Sequence, residues 1–185
     1  MVKNTDSTPN AVLDTNVLYP IILRDFACWL QWHGAHRMVW STELGIELCR
    51  ALNRSGTDSA LGSRVWHQLN QAFPKNLKEL EAGHLMGLPD PNDEHIAQLA
   101  FQHQSQLVTF NLHDFPADLI KPLVVRHPDE YFLQLVRNYP VQSIESLHSM
   151  KLARHKLPVT NEQLLESLAQ NRLTATAEFL SRLSG

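Results

Sequence analysis

The sequence predicts an α/β protein built on a parallel sheet covered by helices. Three observations predict it. Short apolar runs alternate with stretches of helical periodicity from residue 11 to about 138. The first run, AVL (11–13), stops abruptly at Asp14-Thr15-Asn16. The composition, 43% hydrophobic and 19% charged, is that of a globular chain with one full core. Alternating strands and helices favour a parallel sheet, and such sheets hold their ligands just beyond the carboxyl ends of the strands. Asp14 therefore stands where a buried strand opens into a cleft, as either a helix N-cap or a functional acid.

The elements follow in order. Residues 1–10 are polar and read as a loose terminus. After the first strand, Pro20 to His33 places Ile22, Phe26, Trp29 and Leu30 at helical spacing, and Gly34 is a stop signal. Met38 to Trp40 is a second candidate strand. Ser41 is a candidate N-cap for a helix carrying Leu44, Leu48 and Leu52 on one face. A turn is expected at Ser55-Gly56, then a helix from Ser59 to Phe73 that Pro74 ends. Lys75 to Gly83 is ambiguous, and His84 to Leu88 reads as a short strand. PDPNDEHIAQLAFQH opens a further helix through Ile96, Leu99 and Ala100. Gln106 to Thr109 and Leu123 to Val125 are the remaining strands, and Pro128 to Asn138 the next helix. Pro140 marks a boundary. Beyond it lie three helical patterns, Val141–Lys156, Thr160–Asn171 and Thr174–Leu183, the second opened by a Thr160/Gln163 capping box. The chain thus divides into a sheet domain, residues 1–138, and a C-terminal helical extension, residues 139–185.

No run approaches the ~20 apolar residues of a membrane span. The start MVKNTDSTPN lacks the apolar segment of a signal peptide, so a cytoplasmic protein is expected. Cys28 and Cys49 lie in apolar helical patterns and read as reduced core thiols. A net charge of −3 and a pI near 6.3 argue against an extended electrostatic grip on nucleic acid. They leave room for a nucleic-acid enzyme whose acids carry cations.

Four acids occupy equivalent element junctions: Asp14, Glu47, Asp93 and Asp114. In a parallel sheet these junctions share one edge. Crowded carboxylates raise one another's pKa, and a divalent cation removes the conflict. Such a site can activate water against a phosphodiester. Each acid also has a structural use. Asp14 is a good cap. Asp90 and Asp93 flank Pro91 as cap and first-turn residues. Glu47 has Arg50 at i+3 as a surface partner, and Asp114 suits the turn before Phe115-Pro116. Their coincidence in this order favours the site.

With these residues in view, the chain resembles the PIN-domain ribonucleases, and in particular VapC-type toxins of toxin–antitoxin pairs. The matching stretches are VLDTNVLYP (12–20), STELGIELCRAL (41–52), PDPNDEHIAQLA (89–100) and VTFNLHDFP (108–116), in the family's order. The resemblance implies an α/β/α sandwich with a parallel central sheet and a Mg²⁺- or Mn²⁺-dependent endoribonuclease. It also implies RNA as substrate, a cognate antitoxin and a homodimer. It assigns the catalytic and metal-binding acids to Asp14, Glu47, Asp93 and Asp114. Glu43 competes with Glu47, Asp90 is an additional acid, and Asn16, Thr109 and Asn111 are polar residues that orient ligands or water. The alternative is a PIN-like module that binds RNA or protein without cutting. A phosphatase using Asp14 as nucleophile would need an acid two residues on, where Asn16 stands.

Among the remaining features, His95 and His113, beside Asp93 and Asp114, read as exposed polar residues ahead of a substrate or phosphate contact, and the four tryptophans as core or interface residues. Lys151, Arg154, His155 and Lys156 form a small basic cluster that reads as a solvated helix face ahead of a phosphate contact.

Overall fold

A computed structural model of the chain describes residues 8–55, 58–83, 86–154 and 159–184. At its centre is a four-stranded sheet in the order β2-β1-β3-β4, with every neighbouring pair parallel. The strands are β1 (Asn10–Leu13), β2 (Arg37–Met38), β3 (Gln106–Val108) and β4 (Val125–Arg126). Ala11, Val12 and Leu13 are all at most 1% exposed, as a strand covered on both faces requires. Nine helices accompany the sheet among the described residues. They are α1 (Thr15–Leu18), α2 (Ile21–Trp32), α3 (Thr42–Ser55), α4 (Leu61–Ala72) and α5 (Glu94–Gln102), then α6 (Pro128–Asn138), α7 (Pro140–Ala153), α8 (Asn161–Gln170) and α9 (Thr174–Ser184).

The chain leaves β1 through α2 to β2 on one side, then returns past β1 to β3 on the other. Right-handed crossovers in opposite directions place α2 and the α3–α5 group on opposite faces of the sheet. Packing agrees: α5 lies on β1 and β3 and touches α3, whereas α2 meets α6 through Phe26 and Phe132, ring centroids 5.5 Å apart. The result is a PIN-like α/β/α fold with C-terminal helices. The winding reverses between β1 and β3, and the crevice at their carboxyl ends is where such folds bind ligands.

Local chemistry explains most boundaries. The Ser41 hydroxyl accepts from the Leu44 amide at 3.3 Å and caps α3. Gly34, with φ +82, turns the chain out of α2. Gly62 lets α4 lie against α3, because a Cβ there would stand 2.6 Å from backbone atoms of Cys49. Thr160 and Gln163 form the full capping box at the head of α8.

The expected strand over His84–Leu88 is absent from its described part. Met86 and Leu88 give their amides to the Glu94 carboxylate at 2.8 and 2.9 Å instead of to a neighbouring strand. His84 and Leu85 lie outside the described residues, as do residues 1–7 of the terminus and Gly56 of the expected turn, whereas Ser55 still belongs to α3. The last strand is Val125–Arg126, shifted from Leu123–Val125, and the second is Arg37–Met38, with Trp40 making only an isolated bridge to Leu77.

The C-terminal helices pack on the α2–α6 face: α7 on α2, α9 on α6, and α8 against α9. Arg154 on the far end of α7 bonds Asp25 of α2 at 2.7 Å. It is therefore a tertiary tie, and not part of a solvated basic face; His155 and Lys156 lie outside the described residues. His36 is buried and joins three elements, its Nε2 donating to the Ala27 carbonyl at 2.8 Å and its Nδ1 accepting from the Tyr131 hydroxyl at 2.9 Å. Burial pushes its pKa down to about 4, so the ring is neutral. Of the tryptophans, Trp40 is core at 1% exposure, but Trp32 is 63% exposed.

Candidate active site

Asp14 follows β1 directly, and Thr109 follows β3. The pairing of Leu13 with Val108 sets the two side by side. The Thr109 hydroxyl donates to Asp14 Oδ2 at 2.6 Å, and Asn16 Nδ2 donates to the same oxygen at 2.6 Å and to Thr109 Oγ1 at 3.0 Å. The Asn111 amide donates to Thr109 Oγ1 at 3.0 Å, and the Phe110 amide to Asn16 Oδ1 at 3.3 Å. Asp14 Oδ2 is thus fully engaged, while Oδ1 meets the Asn16 amide at a long 3.4 Å. The capping use of Asp14 is real but weak. Asp14 is 6% exposed, and burial raises its pKa; Thr109 opposes that rise and the Glu47 charge adds to it.

Asp93 stands at the junction of a 3-10 turn (Pro91–Asp93) and α5 and makes no side-chain cap bond. Its carboxyl is pushed up to about 7, first by burial and then by the charges of Asp14, Asp90, Asp114 and Glu47. Its carboxyl thus senses the charge of four other acids. Asp90 caps the turn by accepting from the Asn92 amide at 2.9 Å, so its structural use holds as well. Asp114 lies in a second 3-10 turn (Leu112–Asp114) with His113 Nε2 at 2.9 Å. Glu47 of α3 faces His95 Nε2 at 3.5 Å, not Arg50, and its charge reaches both Asp14 and Asp93. Glu43 is exposed one turn earlier on the same helix.

Beside the acids, a cleft of about 1060 Å³ runs between α3 and the Pro91 turn, lined by Glu43, Glu47, Arg50, Arg54, Asn92 and His95. Two residues escaped sequence reasoning. Glu94, adjacent to Asp93, is an unexceptional helix-start acid in the sequence, yet it is buried and holds the 86–88 segment. His95, read as an exposed polar residue, bonds the Asn92 carbonyl at 2.7 Å and lines the cleft. Among the described residues, no group of three or more His, Cys, Asp or Glu side chains is placed to hold a metal ion. Mg²⁺ does not require such a group, since it commonly binds one or two carboxylates and keeps its waters. The all-oxygen donors and their uncompensated charge fit a hard divalent cation.

The fold is a PIN-like α/β arrangement with acidic residues at the element junctions near its switch point and helices toward its C-terminus. Residues 128–182, within these helices, match the family model described as the VapC50 C-terminal domain. The match covers less than a third of the chain and supports a VapC-type relationship for this C-terminal part. Comparison with the curated proteins and with the solved structures returned no match. No helix among the described residues is long and apolar enough to cross a membrane.

Proposed function

We propose that the protein is a Mg²⁺- or Mn²⁺-dependent endoribonuclease, the toxin of a toxin–antitoxin pair, acting through Asp14, Glu47, Asp93 and Asp114. The observation that carries this reading is the partly buried Asp93 carboxyl, pushed up to about 7 first by burial and then by the charges of Asp14, Asp90, Asp114 and Glu47. A fold does not retain such repulsion for stability; a bound cation gives it a purpose. Asp14 and Asp93 would hold the ion, with Glu47, Asp114 and the additional Asp90 around its waters. When bound, the ion lowers the pKa of a water and stabilises the leaving oxygen of a phosphodiester. Thr109 and Asn16 keep Asp14 in one orientation, and Asn111 closes the same network through its amide.

The test is cleavage of single-stranded RNA by the purified full chain, with Mg²⁺ or Mn²⁺ and with EDTA. Activity in metal, lost in EDTA and in Asp14→Asn and Asp93→Asn variants that still fold, supports the reading. Cleavage that survives EDTA or both substitutions overturns it. The spread of the acids favours the second reading, a module that binds without cutting. Titration calorimetry showing no uptake of either ion would select it.

An antitoxin partner is supported by the matched C-terminal domain and by an apolar groove of about 760 Å³ between α2 and α4. Ile21 and Trp32 line it at 65% and 63% exposure, the sort of patch that a partner covers. The resemblance extends to a cytoplasmic homodimer.

A further inference from the structure

Between α8 and α9 the chain places Arg172 against Phe110, the residue that follows Thr109. Helix α8 ends at Gln170, and the turn into α9 is a Schellman closure: the Arg172 amide bonds the Ala169 carbonyl at 2.9 Å and the Leu173 amide bonds the Leu168 carbonyl at 3.0 Å. Arg172 therefore occupies the left-handed position of the motif, with φ +68. Glycine is the usual residue there, because a Cβ is strained at positive φ. Arginine at such a place suggests that its side chain is needed.

That side chain lies over the Phe110 ring, with its guanidinium carbon 4.4 Å from the centroid. His127 packs edge-on against the same ring, centroids 5.3 Å apart. Phe110 follows Thr109 directly, and its amide bonds Asn16 Oδ1, whose amide nitrogen bonds Asp14. Phe110 thus links the two, its ring carrying Arg172 and its backbone amide joining the network around the first acid. Stacking leaves the in-plane N–H groups of a guanidinium open. Arg172 is exposed and forms no carboxylate ion pair among the described residues.

We infer that Arg172, stacked on Phe110, is a phosphate-binding residue that grips the RNA backbone at the rim of the acid site, so that the C-terminal domain completes the substrate-binding surface. The inference rests on the nuclease reading above. Arginine suits this role because it is permanently charged and its planar fork matches phosphate oxygens. A cation at the rim also offsets the repulsion that a cluster of acids exerts on a polyanion.

The full chain, with Ca²⁺ in place of Mg²⁺, is titrated into a fluorescein-labelled single-stranded RNA of about 20 nucleotides at several KCl concentrations, and binding is read by anisotropy. Arg172→Gly relieves the left-handed strain while removing the guanidinium. It is expected to bind roughly tenfold more weakly, with the salt slope shallower by about 0.7. Its melting temperature should be equal to or above that of the unaltered chain, and in Mg²⁺ its KM should rise while kcat changes little. Arg172→Lys is expected to recover part of the affinity. Unchanged affinity and slope in Arg172→Gly, alongside an unaltered chain that cleaves RNA, overturn this inference alone. An unaltered chain that neither binds nor cleaves RNA overturns the nuclease reading and this inference with it.

Discussion

Thr109 donates its hydroxyl to Asp14 Oδ2 at 2.6 Å, tying the ends of β3 and β1 where the winding of the sheet reverses. The bond links two residues 95 positions apart in the chain. It holds a buried carboxylate whose Oδ2 accepts from both Thr109 and Asn16. Its consequences can be measured.

Thr109→Val keeps the shape of this fully buried side chain and removes the hydroxyl. Asp14 loses a bond that holds its pKa down, while Asn16 and the Asn111 amide lose an acceptor. The expected cost is about 1–2 kcal/mol, a fall of roughly 2–8 °C in melting temperature. The acid limb of the pH–rate profile should move to higher pH. An unchanged acid limb would show that Thr109 plays no part in setting the charge on Asp14.

Asp93 predicts an unusual pH dependence for the metal-free chain. Its pKa is raised from 3.8 to about 7 in the fold. Its favourable contribution is complete below about pH 4 and is lost as pH rises through about 7, because the unfolded chain gives up the proton first. Without metal, this group alone makes the protein less stable at pH 8 than at pH 5. Asp93→Asn should flatten that slope and raise the melting temperature at pH 8 by a few degrees, on the order expected for a partly exposed group. Mn²⁺ or Mg²⁺ should stabilise the unaltered chain more at pH 8 than at pH 5, where protons compete for the site. Melting curves with and without EDTA across this range decide the matter. A chain indifferent to both pH and metal would contradict the clustered acids.

Asp129 joins the C-terminal helices to the sheet domain. From the first turn of α6 it accepts from the Ala175 and Thr176 amides, each at 2.9 Å, and from the Thr176 hydroxyl at 2.7 Å. It is thus the N-terminal cap of α9, supplied from 46 residues away. Asp129→Ala is expected to cost about 2 kcal/mol and to lower the melting temperature by roughly 4–8 °C. Asp129→Asn, which keeps an acceptor, should lose less. Equal melting of Asp129→Ala and the unaltered chain would place α9's stability elsewhere.

Helices were the most legible feature, because 3.6-residue periodicity and caps are local signals. Pro128–Asn138 agrees at both ends, and the Thr160/Gln163 box is present as expected. Short strands were less legible. Leu123–Val125 shifted and 86–88 formed no strand, since two or three apolar residues carry no register of their own. Glu94 shows why: a side chain satisfied the amides that a ladder would have used. Within the site, the acids were visible as residue types at element junctions. Their mutual charge, and the engagement of Asp14 by Thr109, depend on chain crossings that no local pattern records.

The sequence by itself determined an alternating α/β chain, a strand ending in Asp14, acids at successive junctions and a helical C-terminal third. These follow from nearest-neighbour physics: side-chain periodicity, capping and burial preference. Only the tertiary structure decided that Glu47, Asp90 and Asp114 bear on Asp93, that Arg154 is a structural tie, and that Arg172 lies over Phe110. Each is a through-space relationship between residues far apart in the chain. Electrostatics and stacking act over a few ångströms, and only folding sets which residues come that close.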